Sequence, residues 1–144
     1  MGTWSAEPFG NDDACDWACG LINERDFSLI ERTLDKVLNE TKYLDASDGA
    51  EAVAAVEVLA KAGGKGTQTD SYTESVDKWI TSSGIEPPGA ALLEKAQRAL
   101  ARLLADDSEL KNLWEESDGR PWYDSIQSLQ RSISSRASPR LRGS

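Results

Sequence analysis

The chain contains no histidine and only two cysteines among its 144 residues. Histidine is the commonest general acid–base and the commonest metal ligand, so its absence excludes Ser-His-Asp and Cys-His catalytic groups and zinc sites with imidazole ligands. Cys15 and Cys19 are four residues apart, and on a helix their Cβ atoms would lie about 5–6 Å apart, too far for a disulfide. We therefore expect two free thiols, as in a reduced compartment.

Long apolar runs are also missing. No stretch of about 18 apolar residues is present, which argues against a transmembrane helix, and the N-terminus lacks the basic start and apolar segment of a signal peptide. Met1-Gly2 could begin a myristoylation motif, but Ala6 stands where that motif needs Ser or Thr. These absences predict a cytoplasmic protein without membrane contact.

The net charge of −9 is unevenly distributed. Residues 1–124 hold 25 acidic and 12 basic side chains, a balance of −13, whereas the last twenty residues hold four arginines and no acid. An acidic body repels nucleic-acid phosphates and anionic membranes, so neither is an expected partner. The excess of acid either attracts a basic protein partner or simply keeps a small protein soluble.

Apolar residues recur at helical spacing through nearly the whole chain, and no alternating strand pattern occurs. We predict an all-α fold: a single compact domain of six or seven short helices over residues 1–135, followed by a disordered basic tail, 136–144. Ser28 and Glu31 predict a capping box at the start of the second helix. The third helix is nearly apolar around its circumference, which is typical of a central helix.

The first seventeen residues are rich in aromatic and acidic side chains. Chain ends are polar and frayed unless they are anchored, so we expect Trp4, Phe9 and Trp17 to pack this segment onto the helical bundle. Asp12 and Asp13 lie in the first turn of the first helix, where carboxylates are stabilised by the helix dipole. The segment from 63 to 70 is small and polar and is expected to be a mobile loop.

Two groups of carboxylates are candidates for chemistry. Asp12, Asp13 and Asp16 lie on adjacent positions of one helix, where close carboxylates can bind Mg²⁺ or Ca²⁺; helix capping and solvation are the alternative. Glu57 and Lys61 form either an exposed i,i+4 pair or a buried one. In the buried case, Glu57 would accept hydrogen bonds from backbone N–H groups or a tryptophan indole of the N-terminal segment. A relation between Asp16 and Glu57 stays open.

The segment around Trp114 is the third candidate. Trp114 is expected in the core, and Glu115 and Glu116 lie near a helix C-terminus, where negative charge is unfavourable. An offsetting cation is therefore expected, from Arg120 or the C-terminal arginines. The glycines of residues 63–67 lack the preceding strand and the full spacing of a P-loop, which argues against a nucleotide site.

These motifs give the chain a resemblance to a bacterial family of unknown function, DUF4259. The matching residues are Met1-Gly2, Trp4, Pro8-Phe9, Asn11-Asp12-Asp13-Ala14, Asp16-Trp17, Ala55-Val56-Glu57-Val58, Ser108-Glu109-Leu110-Lys111-Asn112-Leu113-Trp114-Glu115-Glu116-Ser117 and Trp122. Ser5-Ala6-Glu7 departs from the glycine-containing approach to Pro-Phe that members of the family often have. The resemblance implies the fold and the boundaries over about residues 1–135, and it implies no reaction.

The expected function is that of a cytoplasmic, non-catalytic protein-interaction domain without a cofactor, present as a monomer or weak homodimer. Immunity proteins and antitoxins, which neutralise basic partners, are an analogy. The alternative is a divalent-metal-dependent enzyme built on Asp12, Asp13 and Asp16. The candidate binding residues are Trp4, Phe9, Asp12, Asp13, Asp16, Trp17, Glu57, Trp114 and Glu115.

Overall fold

The computed structural model describes residue 3 and residues 5–137, with side chains to residue 134. Helices joined by loops make up this part of the chain, and it contains no strand, which confirms the predicted all-α class. The helices are α1 Asp12–Leu21, α2 Ser28–Asn39, α3 Ala46–Ala62, α4 Glu74–Ser83, α5 Ala90–Leu103, α6 Glu109–Glu115 and α7 Arg120–Ala137, with a 3₁₀ turn at Ser71–Thr73. Helix α7 includes residues 136 and 137, the first two of the predicted tail. Trp4 and residues 138–144 lie outside the described residues. No helix within the described ranges is long and apolar enough to cross a membrane.

Helix α3 is the central helix of the fold, as its apolar circumference predicted. It packs against each of the other six helices, and nearly all of its residues from Gly49 to Ala60 are buried. Its alanines allow close approach of the neighbouring helices. At Gly49 a Cβ would lie 3.2 Å from Leu103 and 3.4 Å from Leu110, so a larger residue there would push α6 outward.

The predicted capping box at the start of α2 is wrong. Ser28 is the first residue of the helix rather than its cap, and Phe27 occupies the cap position without a side-chain hydrogen bond. Phe27 packs against the core, and this tertiary contact sets where the helix begins. The Ser28 N–H is satisfied instead by the Asp26 carboxylate at 3.0 Å.

The connection before α3 is hydrogen-bonded to the connection before α6. The Leu44 N–H donates to the Asp107 carbonyl (2.8 Å), and the Glu109 N–H donates to the Leu44 carbonyl (2.9 Å). Arg102 adds a side-chain link, because its guanidinium donates to the Lys42 carbonyl (2.7 Å) and to the Asp107 carboxylate (2.9 Å). These bonds hold the start of α6 beside the start of α3.

Helix α7 covers the core with one apolar face. Its apolar stripe, at spacings of four, three and four residues, is fully or almost fully buried, as the sequence predicted. The stripe consists of Trp122, Ile126, Leu129 and Ile133. Helix α7 packs mainly on α5 and α3, and residues 5–8 of the N-terminal segment lie beside the first turns of α7.

Candidate functional site

Thr3 and residues 5–11 belong to a tight N-terminal loop that folds back onto the bundle. Thr3 and Asn11 form an isolated antiparallel bridge, and the Ser5 N–H donates to the Gly10 carbonyl at 3.2 Å. A Cβ at Gly10 would lie 2.7 Å from the Ser5 carbonyl oxygen, so the close approach of the two arms requires glycine. Phe9 is completely buried, which confirms its predicted role as an anchor.

Trp17 is a second anchor, as predicted. Its ring is buried, and its indole N–H donates to the Thr33 hydroxyl at 2.8 Å. Asn11 caps α1 by accepting a hydrogen bond from the Ala14 N–H at 2.8 Å. The end of the N-terminal loop and the start of α1 are therefore held in one defined position.

Glu57 lies in the middle of α3 and is completely buried. Its carboxylate accepts hydrogen bonds from the Thr67 N–H (2.9 Å), the Thr67 hydroxyl (2.7 Å) and the Gln68 N–H (2.8 Å). The buried interpretation of Glu57 with backbone donors is therefore correct, but the donors come from residues 67 and 68. Burial raises the pKa of Glu57, while the hydrogen bonds and Lys61 oppose this shift.

Lys61 is the cation of this buried group. Its side chain is only 5% exposed, and its ammonium lies 2.8 Å from the Asp77 carboxylate and 3.9 Å from Glu57. A Cβ at Gly66 would lie 2.5 Å from the Lys61 Cγ, so the loop can pass over this pair only with glycine at that position. The expectation of a mobile loop over residues 63–70 did not include the contacts that Gly66, Thr67 and Gln68 make with α3.

Gln68 connects this group to the N-terminal loop. Its side chain is buried (2% exposed); the amide oxygen accepts from the Phe9 N–H at 2.8 Å, and the amide nitrogen donates to Asp70 at 3.1 Å. Sequence reasoning missed Gln68. The closely spaced glycines before it were the available signal, because they mark a backbone in close contact with its surroundings.

A cavity of about 550 Å³ opens between the start of α1 and helix α6. It brings the two sequence signatures together, although they are about 100 residues apart in the chain. The lining residues are Thr3, Asn11, Asp12, Asp13, Ala46, Ala50, Leu110, Leu113 and Trp114. Its rim is acidic, and its α6 wall is apolar.

Trp114 forms part of that wall and is half-buried, so its predicted place in the core is wrong. Helix α6 lies on the surface of α3 and has no fully buried residue. Leu113 beside it is 47% exposed. No described residue accepts a hydrogen bond from the Trp114 indole N–H.

The aspartates of α1 are exposed and do not converge with Glu57. Within the described ranges neither Asp12 nor Asp13 has an ion-pair partner; Asp13 accepts one hydrogen bond from the Ser47 hydroxyl at 3.3 Å. Asp16 is exposed and is not a lining residue of the cavity. The described part of the chain contains no group of three His, Cys, Asp or Glu side chains arranged to hold a metal ion.

Cys15 lies directly beneath the N-terminal loop. Both cysteines are free thiols, and the Cys15 Sγ lies 3.8 Å from the Phe9 carbonyl oxygen. Burial raises the pKa of the Cys15 thiol, and the nearby Asp12 and Asp16 carboxylates add to the shift. A thiol with a raised pKa reacts slowly unless its surroundings open.

Glu115 is stabilised by neighbours that the sequence did not suggest. The Tyr123 hydroxyl donates to it at 2.5 Å, and the Lys111 ammonium lies 3.8 Å away. Arg120, which was expected to offset this charge, pairs with Asp118 instead. Glu115 is therefore part of a contact between α6 and α7 and does not line the cavity.

Comparison with known proteins places the chain in one family. Residues 2–125 match the sequence model of Domain of unknown function (DUF4259). Because the match covers most of the chain, the protein belongs to this family. No curated protein and no solved structure matches the chain at the significance required.

Proposed function

We propose that the protein is a non-catalytic interaction domain and that it binds a basic protein segment in the cavity between α1 and α6. The observation that carries this proposal is the pairing of an exposed apolar wall with two carboxylates that have no cation partner among the described residues. Leu113 and Trp114 form the wall, and Asp12 and Asp13 form the rim.

The partner's chemistry follows from these groups. An aliphatic or aromatic side chain would be buried against Leu113 and Trp114, and tryptophan is enriched among the residues that dominate binding energy. A lysine or arginine beside it would pair with Asp12 or Asp13. The balance of −13 over residues 1–124 would increase the rate of encounter with a basic protein at low salt.

The same proposal includes a cytoplasmic location and a role like that of immunity proteins or antitoxins, which neutralise basic partners. Two free thiols support a reduced compartment. The acidic body supports a basic partner, and we infer a monomer or weak homodimer in its absence. Light scattering at several concentrations measures the oligomeric state directly.

Site-specific photocrosslinking tests the proposal. A photoreactive amino acid replaces Leu113 in one version of the protein and Ile22 in a control; Ile22 is similarly exposed (41%) but does not line the cavity. After irradiation in cells, position 113 should give an adduct with a protein of high isoelectric point, and position 22 should not. Identical adducts at both positions, or an acidic partner at position 113, would contradict the proposal.

A further inference from the structure

We propose that Glu57 is a positioning residue for the N-terminal loop, which forms one side of the cavity. It would act through Gln68, whose side-chain oxygen accepts a hydrogen bond from the Phe9 N–H. The effect on partner binding rests on the proposed function, whereas the positioning itself does not.

The first step is the contact between Glu57 and residues 67 and 68. Four donor contacts reach the two carboxylate oxygens, from the Thr67 N–H, the Thr67 hydroxyl and the Gln68 N–H. All of them come from two consecutive residues of one loop. The position of the Gln68 backbone is therefore set by a side chain of the central helix.

The second step is the contact between Gln68 and Phe9. The Gln68 amide is held at both ends, by the Phe9 N–H and by Asp70, so its orientation is fixed. The Phe9 N–H is buried, and no other acceptor for it is present among the described residues. Displacing Gln68 would leave this donor unsatisfied, which disfavours the docked position of the loop.

The third step leads from Phe9 to the cavity. Asn11 follows two residues later, caps α1 and lines the cavity with Asp12. The Cys15 thiol, which is partly exposed, donates a hydrogen bond to the Phe9 carbonyl oxygen (3.8 Å). Movement of Phe9 would therefore change the cavity wall and release the Cys15 thiol from this contact at the same time.

The chemistry of Glu57 favours a positioning role over a purely stabilising one. A buried carboxylate loses its hydration, and replacing a whole buried ion pair by apolar residues of similar volume is often neutral or stabilising, whereas removing only one partner is destabilising. Apart from Glu57 and the side chain of Lys61, the buried positions of helix α3 are apolar, so packing alone does not require a carboxylate at position 57. Only a hydrogen-bond acceptor at this position can hold residues 67 and 68 in register.

The reactivity of Cys15 tests this inference without any partner. In a Cys19→Ser background, the rate of Cys15 alkylation by N-ethylmaleimide is followed by mass spectrometry. Glu57→Gln and Gln68→Met should each raise the rate about tenfold, because Glu57→Gln replaces one of the two acceptor oxygens by an NH2 donor and Gln68→Met removes the acceptor of the Phe9 N–H. The double variant should react no faster than Glu57→Gln alone, since both changes interrupt the same series of contacts.

A control separates positioning from general stability. Leu129→Ala removes a buried side chain of α7, which is not part of the contacts between Glu57 and Phe9. It should lower the melting temperature without accelerating alkylation below the unfolding transition, and its effects should add to those of Gln68→Met. If Glu57→Gln and Leu129→Ala variants of equal melting temperature react equally, the inference is wrong.

Gln68→Met and one further variant, Gly66→Ala, keep the test decisive if Glu57→Gln does not fold. Gly66→Ala would place a Cβ against Lys61 and displace the loop while leaving every charge in place. Fast alkylation in Gly66→Ala and Gln68→Met would support the inference, and unchanged rates in both would overturn it. Failure of crosslinking at position 113 with fast alkylation in these variants would contradict the proposed function alone.

Discussion

The side chain of Gln68 accepts a hydrogen bond of 2.8 Å from the backbone N–H of Phe9, a residue 59 positions earlier in the chain. Burial of Phe9 alone would fix how deeply the N-terminal loop is inserted, but not its direction. The hydrogen bond fixes the direction, because it orients the backbone that continues into Asn11. The start of α1 therefore depends on a loop from the middle of the chain.

Phe9→Ala is expected to lower the free energy of unfolding by about 3–5 kcal/mol, as is typical when a buried aromatic ring is removed. Urea denaturation followed by fluorescence measures this change. Tyr43→Ala is the control, because Tyr43 is 54% exposed. This substitution should change the free energy of unfolding by no more than about 0.5 kcal/mol. Equal effects of the two substitutions would show that Phe9 is not an anchor.

The double substitution Asp12→Asn with Asp13→Asn is expected to weaken binding of the crosslinked partner and to reduce its salt dependence, because the rim loses two charges. Titration calorimetry at two salt concentrations measures both effects. Asp16→Asn is the control for a single exposed carboxylate on the same helix outside the cavity. A loss of affinity in Asp16→Asn as large as that in the double variant would contradict the assigned site.

Leu113→Ala is expected to reduce partner binding at least about tenfold, as happens when a central apolar contact is truncated, while the melting temperature changes little. The reason is that Leu113 is half-exposed and contributes little to the core. Leu110→Ala, on the inner side of the same helix, should lower the melting temperature as well. Full affinity in Leu113→Ala would show that α6 is not part of the interface.

Glu57 should give the stability a defined pH dependence. Because burial raises its pKa in the folded state above the ordinary value of 4.5, the folded protein binds this proton more tightly than the unfolded chain does. The resulting stabilisation is complete below the unfolded pKa and is lost as pH rises through the folded pKa. The stability advantage of the native protein over Glu57→Gln should therefore shrink as the pH rises above the ordinary pKa of 4.5 and through the raised pKa of the folded state.

Urea denaturation of both proteins at several pH values measures this difference. An advantage that grows with pH would mean that the donors from Thr67 and Gln68 outweigh desolvation and that the pKa of Glu57 is lowered. Asp77→Asn provides a comparison, because it removes the other carboxylate beside Lys61 and leaves the titration of Glu57 in place.

Mg²⁺, Mn²⁺ and Ca²⁺ at millimolar concentration are expected to leave the melting temperature unchanged. Asp12 and Asp13 are exposed, and the described part of the chain provides no third ligand. An ion present at 100 times the Kd of its site would add about 2.7 kcal/mol to the free energy of unfolding. A clear upward shift with one of these ions would revive the metal-dependent alternative.

Local patterns predicted the helices well, because apolar spacing reports which face of a helix is buried. The central place of α3 and the stripe of α7 followed from that spacing. The cap of α2 could not be predicted, since Phe27 is placed by packing against the core. Trp114 was expected in the core with Leu110 and Leu113 of the same short helix, but α6 lies on the surface of α3, so Trp114 packs against the core and stays only partly buried.

The candidate site was predictable in its parts and not in its assembly. Asp12, Asp13 and Trp114 were recognised in the sequence, but no pattern shows that segments about 100 residues apart share a cavity. The burial of Glu57 was one of two alternatives, because its neighbours on the helix are small. The role of Gln68 depends on contacts with residues distant in the chain, which spacing within a helix does not reveal.

The backbone bonds between Leu44 and residues 107 and 109 hold α6 from its first turn, independently of the side chains on its outer surface. Substitutions at Leu113 and at neighbouring outward positions can therefore accumulate without moving the helix. Under the proposed function, exchanging only these side chains would change which partner segment fits the cavity while the scaffold stays the same.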